Sequence, residues 1–228
     1  MKKEELEQKV KAKEDMKGAD LEKAKLKGAN LKKAELKEAN LDRADLRGAD
    51  LREANLEKAS FERANLIQAE LRGANFKKAN FTEALLHKAD FRDANLEQSI
   101  FEEAELDKAE FRGAKLERAD MTKVQATECN FRDCDLDYVI LERAEVKDSN
   151  FRDAQIRSSK LERADFSGAN LRDADLRKAD LTRANFNGAN LSGADLRGAT
   201  LEFADFTDAH GLTDELIKEI KDQGGIVE

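Results

Sequence analysis

From Met16 to Phe206 every fifth residue is apolar without a slip, which makes thirty-nine consecutive positions, thirty-four of them Leu or Phe. The exceptions are Met16, Met121, Ala126, Val146 and Ile156. Two residues before each stands a small residue, Ala in thirty-one of the thirty-eight units after the first. Most other positions are polar or charged. A period of five fits neither a helix at 3.6 nor a strand at 2. On a helix it would wind the apolar residues right round the surface. The chain therefore turns a corner every five residues, burying one large and one small side chain each time.

Side chains that stack reveal how many corners close one coil. The core phenylalanines fall into runs spaced by twenty: Phe61, Phe81 and Phe101; Phe91, Phe111, Phe131 and Phe151; Phe166, Phe186 and Phe206, with Phe76 alone in its column. Aromatic rings favour offset stacking, which such columns allow. The residue after the core position follows the same arithmetic, reading Lys32, Arg52, Arg72, Arg92, Arg112, Arg132, Arg152 and Arg172. Ten residues out of phase it reads Glu22, Asp42, Glu62, Thr82, Glu102, Thr122, Glu142, Glu162, Thr182 and Glu202. One coil is thus twenty residues, in four faces of five.

The units ADLRG, ANLKK, ANFNG and ADFTD resemble the A(D/N)Lxx consensus of the pentapeptide repeat family, and the resemblance covers about residues 14–208. It implies an all-β solenoid, a right-handed quadrilateral β-helix of about ten coils. Coils stacked at about 4.8 Å give a rod roughly 45 Å long. Nine of the twelve glycines sit two residues after a core position, where a type II corner needs positive φ. Burying a Leu or Phe contributes about 1.5–3 kcal/mol, and ordering each residue costs about 1–2 kcal/mol. With five residues ordered per large side chain, the backbone ladder between coils must also contribute, and a lone coil should not fold.

Three segments follow: an N-terminal extension or cap (1–13), the repeat (14–208) and a C-terminal helical cap (209–228). In the last, Thr213 is a suitable N-cap, Asp214 and Glu215 suit the positive helix end, and Leu212, Leu216, Ile217 and Ile220 share one face before Gly224-Gly225. The resemblance implies that such a cap builds a homodimer. Before the repeat only Leu6 and Val10 are apolar, which predicts a weak or frayed cap. Departures from consensus cluster between Val124 and Ser159. There Val124 replaces the small residue where Ala126 replaces the large one, a compensation of volume, while Cys129 and Cys134 read as buried small residues.

Composition narrows the chemistry. Proline and tryptophan are absent, and no apolar run approaches the roughly eighteen residues of a membrane span. Two cysteines make no disulfide framework, so the expected compartment is the cytoplasm. His87 and His210 have no Cys or His cluster beside them, and the glycines form no phosphate loop. The carboxylates lie on a flat, solvated surface rather than in a cleft. The expectation is no enzyme, no metal and no cofactor.

Two surface features are candidates. Outward apolar residues are few (Ile67, Leu85, Ile100, Tyr138, Ile140, Phe203), and Ile100, Tyr138 and Ile140 form a candidate protein-interaction patch. The column Arg52, Arg72, Arg92, Arg112, Arg132, Arg152 and Arg172 could grip a polyanion. However, with Lys32 and Lys33 counted among the cations, Asp50, Glu70, Asp90, Glu110, Glu53, Asp93, Asp133, Asp153 and Asp173 bring that face to zero formal charge. A structural lattice of ion pairs is the expected role, and no direct nucleic-acid binding. The leading expectation is a non-catalytic scaffold with a protein partner. The resemblance also implies an alternative, a DNA mimic that binds DNA gyrase or another type II topoisomerase. Duplex DNA of about 45 Å carries about 26 charges, whereas this chain has a net charge of −8 and no loop interrupting the repeat.

Overall fold

A computed structural model describes residues 2–227. Each five-residue unit makes the same corner. The carbonyl of Leu21 accepts from the Ala24 N–H at 3.0 Å, and Lys23 between them has φ +56°. This left-handed residue recurs in all thirty-nine units, nine times as Gly and thirty times as another residue. Left-handed backbone costs an L-residue about 1–2 kcal/mol, and no β-branched side chain occupies the position. The compensation comes from the coil above. Leu21 N–H donates to Asn40 O at 2.7 Å, Asn40 N–H to Ala19 O at 2.9 Å, and Lys23 N–H to Asp42 O at 2.8 Å.

These rungs join residue i to residue i+20 in parallel register along four columns, from Asp15–Glu35 to Asn190–His210. Each face therefore holds a single bridging residue rather than a strand. Two of its five residues make the corner, leaving too little extended backbone for a continuous strand. The all-β expectation is met as stacked isolated bridges.

One main-chain N–H per corner, that of the residue after the core position, has no place in this ladder. Where the residue before the core position is Asp or Asn, its side chain satisfies it: Asn40 Oδ1 accepts from Asp42 N–H at 3.0 Å, and Asp120 Oδ1 from Thr122 N–H at 3.0 Å. Asp and Asn fold back this way more effectively than Ser or Thr, and Glu and Gln are too long, which accounts for the D/N of the repeat. Where Ser60, Gln125 or Gln155 stands there, a carboxylate of the preceding coil substitutes. Asp42, Asp107 and Asp137 accept from Glu62, Thr127 and Arg157 N–H at 2.9, 2.9 and 3.0 Å.

Inside, the phenylalanine columns stack with centroids 4.8–5.1 Å apart and planes within 11° of parallel. Phe76, alone in its column, meets Phe61, Phe81 and Phe91 edge-on at 5.8, 5.3 and 5.8 Å. Val124 and Ala126 are both fully buried. Cys129 and Cys134 are buried free thiols, pushed up to about 12 by burial. They donate to Leu106 O and Phe111 O at 3.0 and 2.9 Å.

Helix α1 (Lys3–Lys11) closes the N-terminal end, correcting the expectation of a frayed cap. Leu6 is fully buried against the first coil. Polar anchors that hydrophobic patterning does not register complete the contact: Glu7 accepts from Asn30 N–H at 2.8 Å, and Lys3 Nζ donates to Lys27 O and Gly28 O at 3.1 Å. Helix α2 (Asp214–Asp222) lies over the last coil, capped by Thr213 Oγ1, which accepts from Leu216 N–H at 3.2 Å. It buries Ile220 completely and Leu212 and Leu216 in part. The chain then returns so that Ile226 bridges Asp205.

Candidate functional site

The core is filled with side chains, so any site is on the outside. Ile100 and Ile140 stand two coils apart in one column, and Asp120 bridges to both, interrupting the apolar surface between them. Ile140 is half-buried, whereas Ile100 and Tyr138 are 41% and 50% exposed. Tyr138 occupies the left-handed corner position with φ +60°. Elsewhere that would suggest local strain tied to function, but here every corner adopts it. The distinctive feature is the face of the ring: Arg118, one coil earlier in the same column, places Cζ 5.0 Å from its centroid. Beside it is a shallow depression of about 370 Å³ lined by Asp137, Tyr138, Arg157, Ser158, Arg177 and Lys178. Arg183 lies over the exposed Phe203 in a similar way, at 5.6 Å. An exposed aromatic with a guanidinium on one face presents a flat amphipathic surface, the kind enriched at protein interfaces.

The long arginine column is engaged by carboxylates. Arg52 pairs with Asp50 at 2.6 Å and Glu70 at 3.0 Å, Arg72 with Asp93 at 3.1 Å, and Arg92 with Asp90 at 2.6 Å. Arg132 reaches Asp133 and Asp153 at 3.4 and 3.8 Å, while Arg152 and Arg172 meet Asp153 and Asp173 at 3.2 Å each. Among the described residues Arg112 has no carboxylate within 4.0 Å. Several pairs lie within one coil, and others cross to the next. The bidentate Arg52 holds the Asp50 carboxyl below its usual range.

A second, shorter cation column eluded the sequence reading. Arg157, Arg177 and Arg197 follow one another on the neighbouring face. Arg157 clasps Asp137, which is 8% exposed, while Arg177 and Arg197 take Asp175 and Asp195 at 2.6 and 2.5 Å. The same spacing of twenty would have found it, since all three occupy one register position. His87 lies between Glu105 at 2.8 Å and Asp107 at 3.9 Å. No group of His, Cys, Asp and Glu among the described residues has the arrangement of a metal site. No helix there is long and apolar enough to cross a membrane.

The comparisons with known proteins agree with the repeat. Residues 15–52, 122–153, 149–188 and 174–210 match "Pentapeptide repeats", in 8 copies, and residues 43–121 match "Pentapeptide repeat region". No curated protein matches the chain. Among solved structures, HetL of the cyanobacterium Nostoc sp. strain PCC 7120 is a pentapeptide repeat protein involved in heterocyst differentiation regulation. It is 31% identical over 92% of this chain and 96% of its own, with a TM-score of 0.49. Full-length QnrB1, a plasmid-mediated fluoroquinolone resistance protein, is 22% identical over 82% of this chain and 95% of its own, with a TM-score of 0.38. A pentapeptide repeat protein of the Arabidopsis thaliana thylakoid lumen is 25% identical over 65% and 75% respectively, with a TM-score of 0.25.

Proposed function

The chain belongs to the pentapeptide repeat family, and from that premise we propose that it is a non-catalytic scaffold, a right-handed quadrilateral β-helix that presents a protein-binding surface around Tyr138. The observation that supports this reading most is the exposed Tyr138 ring with Arg118 on its face. The surrounding charges are largely neutralised by one another. A filled core and ion-paired faces suit a rigid platform, and they supply no cleft in which a catalytic pKa would be tuned. The long arginine column then serves the rod itself, linking coils through shared carboxylates.

A DNA mimic acting on a type II topoisomerase is the other reading that the family implies. It is disfavoured by the modest net charge of −8 and by the arginine column that runs along one face, with a shorter one on its neighbour. Capture of a protein from the source cells separates the readings. Capture lost in Tyr138→Ser and retained in Arg132→Gln is the expected result; Ser already occupies the equivalent corner at Ser158, φ +55°. Capture indifferent to Tyr138 would overturn the proposed surface. Inhibition of gyrase supercoiling by micromolar protein would instead establish the mimic.

A further inference from the structure

A solenoid ends in an edge of unpaired backbone, and the four faces of the last coil treat that edge differently. In each earlier coil the core residue's N–H donates upward and the carbonyl two residues before it accepts. Leu176 N–H donates to Asp195 O at 2.8 Å, and Ala174 O accepts from Asp195 N–H at 2.9 Å. In the last coil three faces keep this pair. Leu191 N–H and Ala189 O both bond to His210, at 2.8 Å. Phe206 N–H and Ala204 O both bond to Ile226, at 2.8 Å. On the third face a side chain stands in for the main chain: Gln223 Oε1 accepts from Leu201 N–H at 2.8 Å, and its Nε2 donates to Ala199 O at 3.4 Å. A primary amide carries the donor and acceptor of a peptide group, so Gln223 completes the rung that a further coil would have made.

The fourth face is left open. Among the described residues Leu196 N–H and Ala194 O have no hydrogen-bond partner. Above them α2 leaves a groove of about 290 Å³, lined among others by Ala194, Asp195, Leu196, Glu215, Leu216 and Glu219. Its floor is apolar, with Leu196 only 4% exposed and Leu216 half-buried. Its charge is one-sided. Asp195 is taken by Arg197 at 2.5 Å, whereas Glu215 and Glu219, one turn apart on α2, have no ion pair among the described residues. Glu219 meets only the Gln223 amide, at 3.4 Å.

We propose that this open edge is a docking site for an extended, basic-apolar peptide segment of a partner protein, which adds a single rung to the coil. Its main chain would accept from Leu196 N–H and donate to Ala194 O. One apolar side chain would enter between Leu196 and Leu216, and Lys or Arg side chains beside it would meet Glu215 and Glu219. The molecule already uses this mode two faces away, where its own Ile226 pairs in parallel with the coil. Main-chain pairing supplies affinity and the flanking side chains supply selectivity, as in other cases of strand addition. The inference rests on the scaffold reading but not on the Tyr138 surface.

Amide hydrogen exchange by NMR tests it, with a short capped peptide of alternating Lys and Val as the probe and its Glu–Val counterpart as the control. In the free protein the Leu196 amide should exchange faster than those of Leu191, Leu201 and Phe206. Saturating Lys–Val probe should slow it by at least about tenfold, and the Glu–Val peptide should bind about tenfold more weakly. The double variant Glu215→Lys, Glu219→Lys should reverse that preference. Protection of Leu196 in the free protein that grows with protein concentration would identify a second copy as the occupant and overturn the proposal. Probe binding that leaves Leu196 unprotected would also overturn it. If Tyr138-dependent capture persisted in that case, the scaffold reading would stand alone; Leu196 protection without such capture would leave the edge site as the supported surface.

Discussion

At the corner built by Ala126, the main-chain bond that closes its neighbours is replaced by a hydroxyl. Val124 N–H reaches Met121 O at 3.3 Å and Cys134 N–H reaches Phe131 O at 3.2 Å. Between these two corners, Cys129 N–H donates instead to Ser149 Oγ at 2.9 Å, and that hydroxyl donates on to Ala126 O at 2.7 Å. Ser149 is fully buried, so water cannot take over either contact. Ser149→Ala therefore strands a buried donor, which costs about 1–3 kcal/mol. Ser99 supplies the internal control. Its hydroxyl donates to Leu96 O at 2.7 Å, but its own N–H still closes the corner at 3.1 Å. Ser99→Ala removes one hydrogen bond and strands no amide, a loss of about 0.5–1.5 kcal/mol. Urea unfolding of both variants, compared at equal m, gives the difference. Ser149→Cys should recover part of the loss, because a thiol is a weak donor and acceptor at a position where Cys129 and Cys134 already make comparable bonds. The bridging account is refuted if Ser149→Ala is no more destabilising than Ser99→Ala.

Other outcomes follow from the same structure. Phe111→Ala, which empties a ring stacked between Phe91 at 4.9 Å and Phe131 at 4.8 Å, should cost about 3–5 kcal/mol in the same unfolding assay. A loss below about half a kcal/mol would contradict a column packed this way. Asp50, Asp175 and Asp195 are held below the usual carboxylate range by hydrogen bonds from Arg52, Arg177 and Arg197. Their folded pKa values lie below the unfolded one, so the stabilisation is fully present above about pH 4 and is lost as pH falls through the folded values. Thermal midpoints recorded from neutral to acid pH should fall only in that lower window. Changing Arg52, Arg72, Arg92 and Arg132 together to Gln should lower the midpoint at low salt, with much of the difference gone near 1 M salt, where the Debye length is about 3 Å. Heparin binding by the wild type that this variant loses would show the column to be a ligand track instead. Cys129 and Cys134 should stay unmodified by a thiol reagent at neutral pH until the rod unfolds, because burial pushes both thiols up to about 12.

The architecture was legible in the sequence because each unit's chief neighbour is a copy of itself twenty residues away. A period of five, read at Leu21, Leu26 and their successors, defines what is inside. The spacing of Phe91, Phe111 and Phe131 defines how many corners close a coil. A pattern that repeats thirty-nine times leaves little for long-range folding to choose. Even the preference for Asp and Asn before the core residue is local, since it serves an N–H two residues on.

What the tertiary structure alone decided lies where the copies stop or where several partners are in reach. Arg52 takes Asp50 within its coil while Arg72 crosses to Asp93, a choice among nearby carboxylates that composition cannot rank. Ser149 serves a corner a full coil away, bridging Cys129 N–H and Ala126 O. At the ends no periodic copy exists. Glu7 and Lys3 anchor α1, Gln223 stands in for a peptide group, Ile226 adds a rung, and the edge at Ala194 and Leu196 stays open. Each depends on where a non-repeating segment lies against the first or last coil, a geometry set by three-dimensional closure rather than by spacing along the chain.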